Sequence, residues 1–345
     1  MILFVFFLIV LSFIGIKINK RNYYTNYIEK TECNSIKGFF IIIVFLRHIT
    51  SYLKKNGYES QGILDNIYFV LDSFIGQLLV VMFLFYSGYG IMESFKKKGE
   101  KYFESYPKKR ILVTFLNFDI AVCFFGLVDL LLDIPISISD FVFSLFAWSS
   151  VGNSNWYIFV ILCCYIITYA SYYISSKRFH IKNILFAIIL LMIVLSIFKE
   201  EHWYNTILCF PVGMYYSMYK NKIEEFTRKY YFIVVSLLFI FFSITFIYNY
   251  YEVAQLWGIS YNLESIIFAL LVVSITMKIK IDNVALVWLG ENLFSLYIYQ
   301  RLPMIFINSV VGADWICEHA YFYVIICLVI TLAISYLYRN WRISL

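Results

Sequence analysis

The chain has 345 residues, of which 62% are hydrophobic, 21% aromatic and 14% charged, and its formal net charge is +6. A soluble domain is about 45–50% apolar, so this composition excludes a soluble protein and predicts an integral membrane protein. The seven cysteines form no CxxC pair and no ligand spacing with histidine, so we expect no metal site. The basic excess follows from membrane sidedness, and nothing else in the chain favours nucleic-acid binding.

Apolar stretches long enough to cross a bilayer recur along the whole chain. We predict eleven, at 2–16, 36–53, 67–92, 111–132, 155–176, 183–198, 203–219, 230–249, 259–277, 291–310 and 320–338. The predicted fold is therefore all-α, a polytopic transmembrane helix bundle of about 10–11 spans. We expect one integral membrane domain at 1–345, with an extra N-terminal span and basic loop at 1–33 and a core at 34–338.

The basic residues are distributed very unequally between the two predicted sides of the membrane. With eleven spans and the N-terminus outside, 23 of the 28 lysines and arginines fall on one side. Only Lys54, Lys55 and Lys199 fall on the other side, and Arg47 and Arg301 lie within spans. Because cytoplasmic loops carry the lysine and arginine excess, this pattern predicts an N-out, C-in topology.

The second apolar stretch contains three ionisable residues, Lys37, Arg47 and His48. Eleven residues separate Lys37 from His48, so on a helix both project from one face, about 16 Å apart along the axis. Ionisable groups at bilayer depth are costly and usually functional. We predict that His48 is catalytic, because histidine can take a proton from a hydroxyl near neutral pH. A histidine that only packs in the core is the alternative.

Two other charged features have more than one interpretation. Asp119 lies about 12 Å into the fourth predicted span, a depth that predicts it as the buried acidic partner of Arg47. The basic, aromatic loop at 93–110 is typical of an anchor on anionic lipid. Binding of an anionic cofactor is the other interpretation of this loop.

Six short motifs occur in a fixed order along the chain. They are Lys37 with Arg47-His48, and the segments 85–90, 108–112, 155–158, 210–215 and 289–297. Together they resemble the motifs of the integral-membrane acyltransferase family 3, which includes bacterial O-acetyltransferases of cell-surface glycans. The resemblance covers roughly 34–338 and implies a multi-pass protein of the bacterial plasma membrane.

The resemblance implies an enzyme that transfers an acyl group, most often acetyl, from cytoplasmic acyl-CoA to a hydroxyl of a surface or lipid-linked glycan. Acetyl-CoA is then a donor substrate, and no permanently bound cofactor is expected. The expected partners are membrane lipid, acyl-CoA and the glycan, and the sequence leaves open whether the protein forms a homo-oligomer.

Specific roles follow from this resemblance. Lys37, Lys109 and Arg110 are expected to bind the phosphates of CoA, because clustered basic side chains suit an anionic headgroup. His48 is expected to deprotonate the acceptor or to carry the acyl group, and Arg47 to stabilise the oxyanion. Four residues are candidates for acceptor binding: Trp156, Tyr157, Gln300 and Arg301.

The chain departs from the family pattern at three positions. Val113 stands where the second arginine of an Arg-x-x-Arg motif is expected, and Ile161 where a glutamate is common. Gln300, followed by Arg301, replaces a late histidine. These departures affect the acceptor side of the expected site and leave His48 in place.

Other classes of membrane protein are alternatives. A transporter or flippase of a lipid-linked glycan would also need charges near the midplane, although the chain shows no internal repeat. A glycan polymerase commonly needs a large outer loop, and a receptor or scaffold leaves Lys37, Arg47 and His48 without a role. Stabilisation by acyl-CoA would separate the enzyme from the other classes.

Overall fold

The computed structural model describes residues 2–175, 180–251 and 258–344. Almost all regular structure in these ranges is helical. The helices are α1 (Ile2–Phe13), α2 (Lys30–Lys55), α3 (Ile63–Ile75), α4 (Leu78–Lys98), α5 (Glu100–Tyr106), α6 (Val113–Leu131), α7 (Ile138–Leu145), α8 (Trp156–Ile174), α9 (Ile181–Phe198), α10 (Cys209–Met218), α11 (Lys220–Lys229), α12 (Tyr231–Tyr250), α13 (Ile259–Thr276), α14 (Val284–Glu291), α15 (Leu293–Tyr299), α16 (Arg301–Val311), α17 (Ala313–Glu318) and α18 (Ala320–Leu337). A π-helical turn (Pro107–Leu112), two 3₁₀ turns (Glu201–Trp203 and Tyr338–Asn340) and two strands, β1 (Ile16–Ile18) and β2 (Ile279–Ile281), complete the list.

Eight helical segments of the described residues are long and apolar enough to cross a membrane. They are Lys30–Lys55, Leu78–Lys98, Glu100–Leu131, Trp156–Ile174, Ile181–Phe198, Tyr231–Tyr250, Ile259–Thr276 and Ala320–Asn340. The prediction of an all-α polytopic bundle is therefore confirmed.

Three of the eleven predicted spans have no counterpart among these eight segments. The stretch 2–16 forms the 12-residue helix α1, which is shorter than the ~20 residues that a spanning helix needs. The stretch 291–310 is divided between α15 and α16 at Gln300. Pro303 explains this break, since a proline cannot donate to the carbonyl four residues earlier and its ring crowds that carbonyl. That carbonyl belongs to Tyr299, the last residue of α15.

The stretch 203–219 is likewise not one continuous helix. It contains the end of a 3₁₀ turn and then α10, which begins two residues before Pro211. Proline is tolerated in the first turn of a helix, where its missing N–H is not needed, but not within a helix. The proline therefore sets where the helix can begin.

Glycines allow two pairs of helices to approach closely. A Cβ atom at Gly38 of α2 or Gly290 of α14 would collide with a backbone carbonyl of the facing helix. The same holds for Gly88 of α4 and Gly213 of α10. Small residues that let backbones meet are typical of helix contacts in membranes. These two crossings hold α2 and α4, which carry the opening motifs, in the centre of the protein.

Loops that the charge pattern assigns to one side of the membrane lie together. Strands β1 and β2 pair antiparallel, and Lys17 Nζ lies 2.6 Å from Asp282 Oδ2 beside them. Both segments belong to the side predicted to be cytoplasmic. At the opposite side, Lys199 Nζ lies 3.9 Å from the centre of the Trp148 ring. The N-out, C-in orientation itself stays a prediction.

Candidate active site

His48 lies on α2 and faces the loop that precedes α8. Its Nε2 atom is 3.5 Å from Oγ of Ser154, a side chain that is only 4% exposed. Arg301 and Arg47 are the charged groups that act electrostatically on the imidazole ring. A histidine, a buried hydroxyl and two cations therefore meet at one place, although they come from distant parts of the chain.

Arg301 connects this place to the same loop and to α2. Its Nη1 donates to the carbonyl of Asn153 at 3.2 Å, and its Nη2 to the hydroxyl of Tyr52 at 3.4 Å. The guanidinium carbon also lies 5.7 Å from the centre of the Tyr52 ring. Within the described ranges, Nε of Arg301 and Nδ2 of Asn153 are buried without a hydrogen-bond partner. Two donors beside His48 are thus free to bind an oxygen atom of a ligand.

Gln300 lies at the break between α15 and α16. Its Nε2 donates to the carbonyl of Tyr297 at 3.2 Å, and the side chain is 1% exposed. Its Oε1 is buried and has no partner among the residues that the structure describes. Gln300 is therefore a buried amide whose oxygen accepts no hydrogen bond from the described residues. The family resemblance predicts a histidine at this position.

Arg47 has a different acidic partner from the one predicted. It donates to the backbone carbonyl of Asp72, and its Nη1 lies 3.7 Å from Oδ1 of that residue. Lys54 Nζ lies 3.3 Å from the other carboxylate oxygen of Asp72. Oδ1 of Asp119 is buried without a hydrogen-bond partner in the part of the chain described. The predicted Arg47–Asp119 pair is wrong, because equal depth in the bilayer does not make two helices face each other.

An inner cavity of about 420 Å³ opens at the end of the bundle predicted to be cytoplasmic. Lys109 and Arg110 line it together with Glu291 and Tyr165. Lys37 interacts electrostatically with both Arg110 and Glu291. The structure therefore brings together the three residues predicted to bind the donor. The remaining lining residues are Val113, Thr114, Asn117, Asn292, Phe294, Ser295, Tyr338, Arg342, Ile343 and Ser344.

An outer cavity of about 380 Å³ lies at the other end. Arg301 and Tyr52 line it, as do two carboxylates, Asp129 and Asp140, and the amide of Asn308. Among the described residues that line this cavity, Arg301 is the predicted acceptor residue present, while Trp156, Tyr157 and Gln300 are absent. Arg301 therefore belongs both to the surroundings of His48 and to a polar cavity.

A series of hydroxyl side chains runs from the inner cavity into the core. Tyr165 lines that cavity, and its hydroxyl interacts with the side chain of Ser87. Ser87 also interacts with the hydroxyl of Tyr157, whose ring centre lies 5.2 Å from that of Tyr297. We call Tyr165, Ser87, Tyr157 and Tyr297 the hydroxyl track. Tyr157 therefore belongs to the hydroxyl track and does not line the outer cavity. Trp156 packs on His202, with ring centres 5.8 Å apart.

Sequence reasoning missed Ser154, Asn153 and Asp72. Ser154 directly precedes the motif that begins at Asn155. This position in the sequence could have identified it as a candidate site residue. Asp72 lies in a stretch of few charges and could have been weighed as a partner of Arg47. Asn153 contributes a backbone carbonyl, and no side-chain pattern in the sequence predicts that.

Comparison with known families decides the class of protein. A family model described as an acyltransferase domain matches residues 31–339. The chain belongs to this acyltransferase family. It is therefore a membrane acyltransferase, and the matched range contains His48, Arg110 and Arg301. No curated protein and no solved structure shows a significant match.

Proposed function

We propose that the protein is an O-acyltransferase that moves an acyl group, preferably acetyl, from cytoplasmic acyl-CoA to a hydroxyl of a surface or lipid-linked glycan. One observation carries the proposal: His48 and Arg301 converge on the loop at Asn153 and Ser154, beside the outer cavity that Arg301 lines. A proton acceptor and free hydrogen-bond donors beside a polar cavity are the parts that acyl transfer to a hydroxyl needs.

The charge of the inner cavity favours an anionic donor. Lys109, Arg110 and Arg342 line it, and Glu291 is the one carboxylate among the described residues of its lining. Lys37 also interacts with Arg110. Basic side chains of this kind bind phosphate groups through charge-assisted hydrogen bonds. CoA carries its phosphates at one end and its thioester at the end of a long, thin arm, so its headgroup suits this cavity.

The hydroxyl track gives the donor arm a polar route toward the reaction centre. Lys37 and His48 lie about 16 Å apart along α2, so the thioester must travel that far into the bundle. Ser87, Tyr157 and Tyr165 can bind the amide groups of the arm, which would otherwise lose hydrogen bonds on leaving water. The track thus supports a donor that enters from the inner cavity.

The reaction at His48 balances without any further group. His48 takes the proton of the acceptor hydroxyl, whose oxygen attacks the thioester carbonyl and forms a tetrahedral intermediate. Collapse of the intermediate breaks the carbon–sulfur bond, and the departing thiolate takes the proton from His48. Nε of Arg301 and Nδ2 of Asn153, both buried without partners among the described residues, are suited to bind the oxyanion.

This arrangement assigns the oxyanion to Arg301 in preference to Arg47. The guanidinium of Arg47 is already engaged by Asp72, whereas Arg301 meets no carboxylate at salt-bridge distance in the described ranges and keeps one donor unused. Arg47 then acts by holding the C-terminal end of α3 against α2 and by its charge near the imidazole.

The test uses membranes that contain the protein, together with acetyl-CoA labelled in the acetyl group. We expect base-labile label in the envelope glycan fraction, since an ester releases acetate in mild alkali. Acetyl-CoA labelled in the adenine ring is the control and should leave no label there. Binding of acetyl-CoA with no acetylated product from any envelope fraction would contradict the proposal, and movement of a lipid-linked glycan without acylation would favour a flippase.

A further inference from the structure

The segment 342–344 forms part of the wall of the inner cavity. Arg342, Ile343 and Ser344 line the same cavity as Lys109 and Arg110. The family match ends at residue 339, so these residues lie beyond the part of the chain that the family describes. Arg342 consequently adds a positive charge to the cavity that the family motifs do not include.

A buried amide holds this segment in place. The side chain of Asn117 on α6 is 2% exposed. Its Nδ2 donates to the carbonyl of Ile343 at 3.0 Å, and its Oδ1 accepts from the amide of the same residue at 2.9 Å. Both polar atoms of one backbone residue are therefore paired with one side chain, which fixes the position of the chain immediately after Arg342.

Aromatic packing supplies a second attachment on the other side of Arg342. The ring of Trp341 lies 6.1 Å from that of Tyr338 and 6.5 Å from that of Tyr299, centre to centre. The backbone amide of Arg342 also donates to the carbonyl of Tyr338 at 2.9 Å. Arg342 is thus held by its neighbours on both sides, while its own side chain is exposed toward the cavity.

We propose that Arg342 binds a phosphate group of the acyl donor and that Asn117 is a positioning residue that keeps Arg342 at the inner cavity. This inference rests on the proposed function, because it requires an anionic donor in that cavity. A planar guanidinium is suited to phosphate through paired hydrogen bonds. Arg342 joins Lys109 and Arg110 in a cavity whose described lining contains one carboxylate side chain, that of Glu291.

The test is the affinity of detergent-purified protein for CoA, measured by titration. Arg342→Gln should weaken binding by about threefold to tenfold, the range expected for one partly exposed charged hydrogen bond. Arg342→Lys keeps the charge and should restore part of the affinity. The matched control is Arg339→Gln, because Arg339 is an exposed arginine three residues away that is not among the residues lining the cavity.

Asn117 is tested by its coupling to Arg342. Asn117→Ala should weaken CoA binding and raise the donor KM with little change in kcat. The double variant with Arg342→Gln should be no weaker than Arg342→Gln alone, since both changes remove the same contact. Hydrogen exchange at the Ile343 amide should accelerate in Asn117→Ala and stay slow in Arg342→Gln, because Asn117 Oδ1 accepts from that amide.

The outcomes separate this inference from the proposed function. If the unaltered protein binds no CoA, the proposed function fails. If the unaltered protein binds CoA and the two variants Arg342→Gln and Arg339→Gln bind it with equal affinity, CoA remains the proposed donor. The role of Arg342 is then overturned. A phosphate of an anionic lipid is the other source of this chemistry, so the titration is repeated with phosphatidylglycerol. An Arg342→Gln defect seen with phosphatidylglycerol but not with CoA would also overturn the inference.

Discussion

Nε2 of His48 lies 3.5 Å from Oγ of Ser154, although 106 residues separate the two along the chain. The neighbouring carbonyl of Asn153 accepts a hydrogen bond from Arg301. The loop before α8 is therefore a common support for the residues from α2 and α16. A histidine that lies beside a buried hydroxyl and between cations is suited to proton transfer. This relationship leads to the first prediction.

Replacement of Ser154 by alanine should lower kcat by about fivefold, the effect expected from loss of one hydrogen bond, with the donor KM little changed. Ser154 orients His48 and does not line the inner cavity in the described part of the chain, so donor binding should persist. The measurement is steady-state acyl transfer at several acetyl-CoA concentrations. The control is Ser243→Ala, because among the described residues that hydroxyl bonds only to the carbonyl of Phe239, within α12. An unchanged kcat would contradict the role given to Ser154.

Arg47 and Asp72 should be energetically coupled. The Asp72 carboxylate is shielded from water and the Arg47 side chain is partly exposed, so this salt bridge is intermediate between a surface pair and a buried pair. Arg47→Ala and Asp72→Asn should therefore each lower the free energy of unfolding by about 1–2 kcal/mol. In the double variant, the loss in the free energy of unfolding should be about 1 kcal/mol smaller than the sum of the losses in the two single variants. Denaturant unfolding in detergent micelles measures these values.

The control cycle combines Arg47→Ala with Asp119→Asn. Asp119 is not paired with Arg47, so their losses should add to within about 0.5 kcal/mol. Coupling of Arg47 to Asp119 but not to Asp72 would contradict the salt bridge between Arg47 and Asp72.

Gly88 should be intolerant of a side chain, and Gly90, two residues further along α4, should accept one. A Cβ atom at Gly88 would collide with the backbone carbonyl of Phe210, whereas one at Gly90 meets nothing within 4 Å. Gly88→Ala should therefore lower the free energy of unfolding by about 1–3 kcal/mol through overpacking. Gly90→Ala should be neutral or stabilising by up to about 1 kcal/mol, as alanine favours a helix.

Thermal unfolding of the two variants in the same detergent compares them directly. Equal melting temperatures would contradict the close crossing of α4 and α10. The protein yield after size exclusion reports the same difference, because misfolded membrane protein aggregates.

Stability should depend on pH through His202, which lies between α9 and α10. Burial lowers the pKa of His202 below its ordinary value, Lys199 acts in the same direction, and Glu200, 3.3 Å away, opposes them. The unfolded chain then binds a proton at a higher pH than the folded one. Stability is complete above the unfolded pKa of about 6.5 and falls as the pH drops below it.

His202→Gln should reduce this loss, and His319→Gln, a change at an exposed histidine, is the comparison. Thermal unfolding at about pH 7.5 and pH 5.5, on either side of the unfolded pKa, measures the difference. An equal loss of stability in His202→Gln and the unaltered protein would show that His202 contributes nothing to the pH dependence.

The chemistry-bearing residues of one helix could be predicted from the sequence, because helical periodicity is local. Helical spacing puts Lys37 and His48 on one face of α2. In the structure Lys37 interacts electrostatically with Arg110, and His48 lies beside Ser154. The basic loop likewise identified Lys109 and Arg110, which line the inner cavity. Composition and hydropathy were enough for the helical fold, since only helices or closed barrels can span a bilayer.

Contacts between distant segments could not be predicted in the same way. The Arg47–Asp72 pair depends on how α2 and α3 are rotated about their axes, and depth alone carries no such information. The pairing of Asn117 with Ile343 joins residues 226 positions apart. The helix breaks could have been predicted, because Pro303 and Pro211 are visible in the sequence. A prediction of spans from hydropathy alone takes no account of prolines.

We propose that His48 performs the proton transfer. The most direct measurement compares His48→Gln with the unaltered protein for transfer of labelled acetyl from acetyl-CoA to envelope glycan, with CoA binding measured on the same preparations. We predict that His48→Gln binds CoA normally, because the inner cavity is intact, and transfers no acetyl above the background of membranes that lack the protein. Acetyl transfer by His48→Gln at the rate of the unaltered protein would show that His48 is not the proton acceptor.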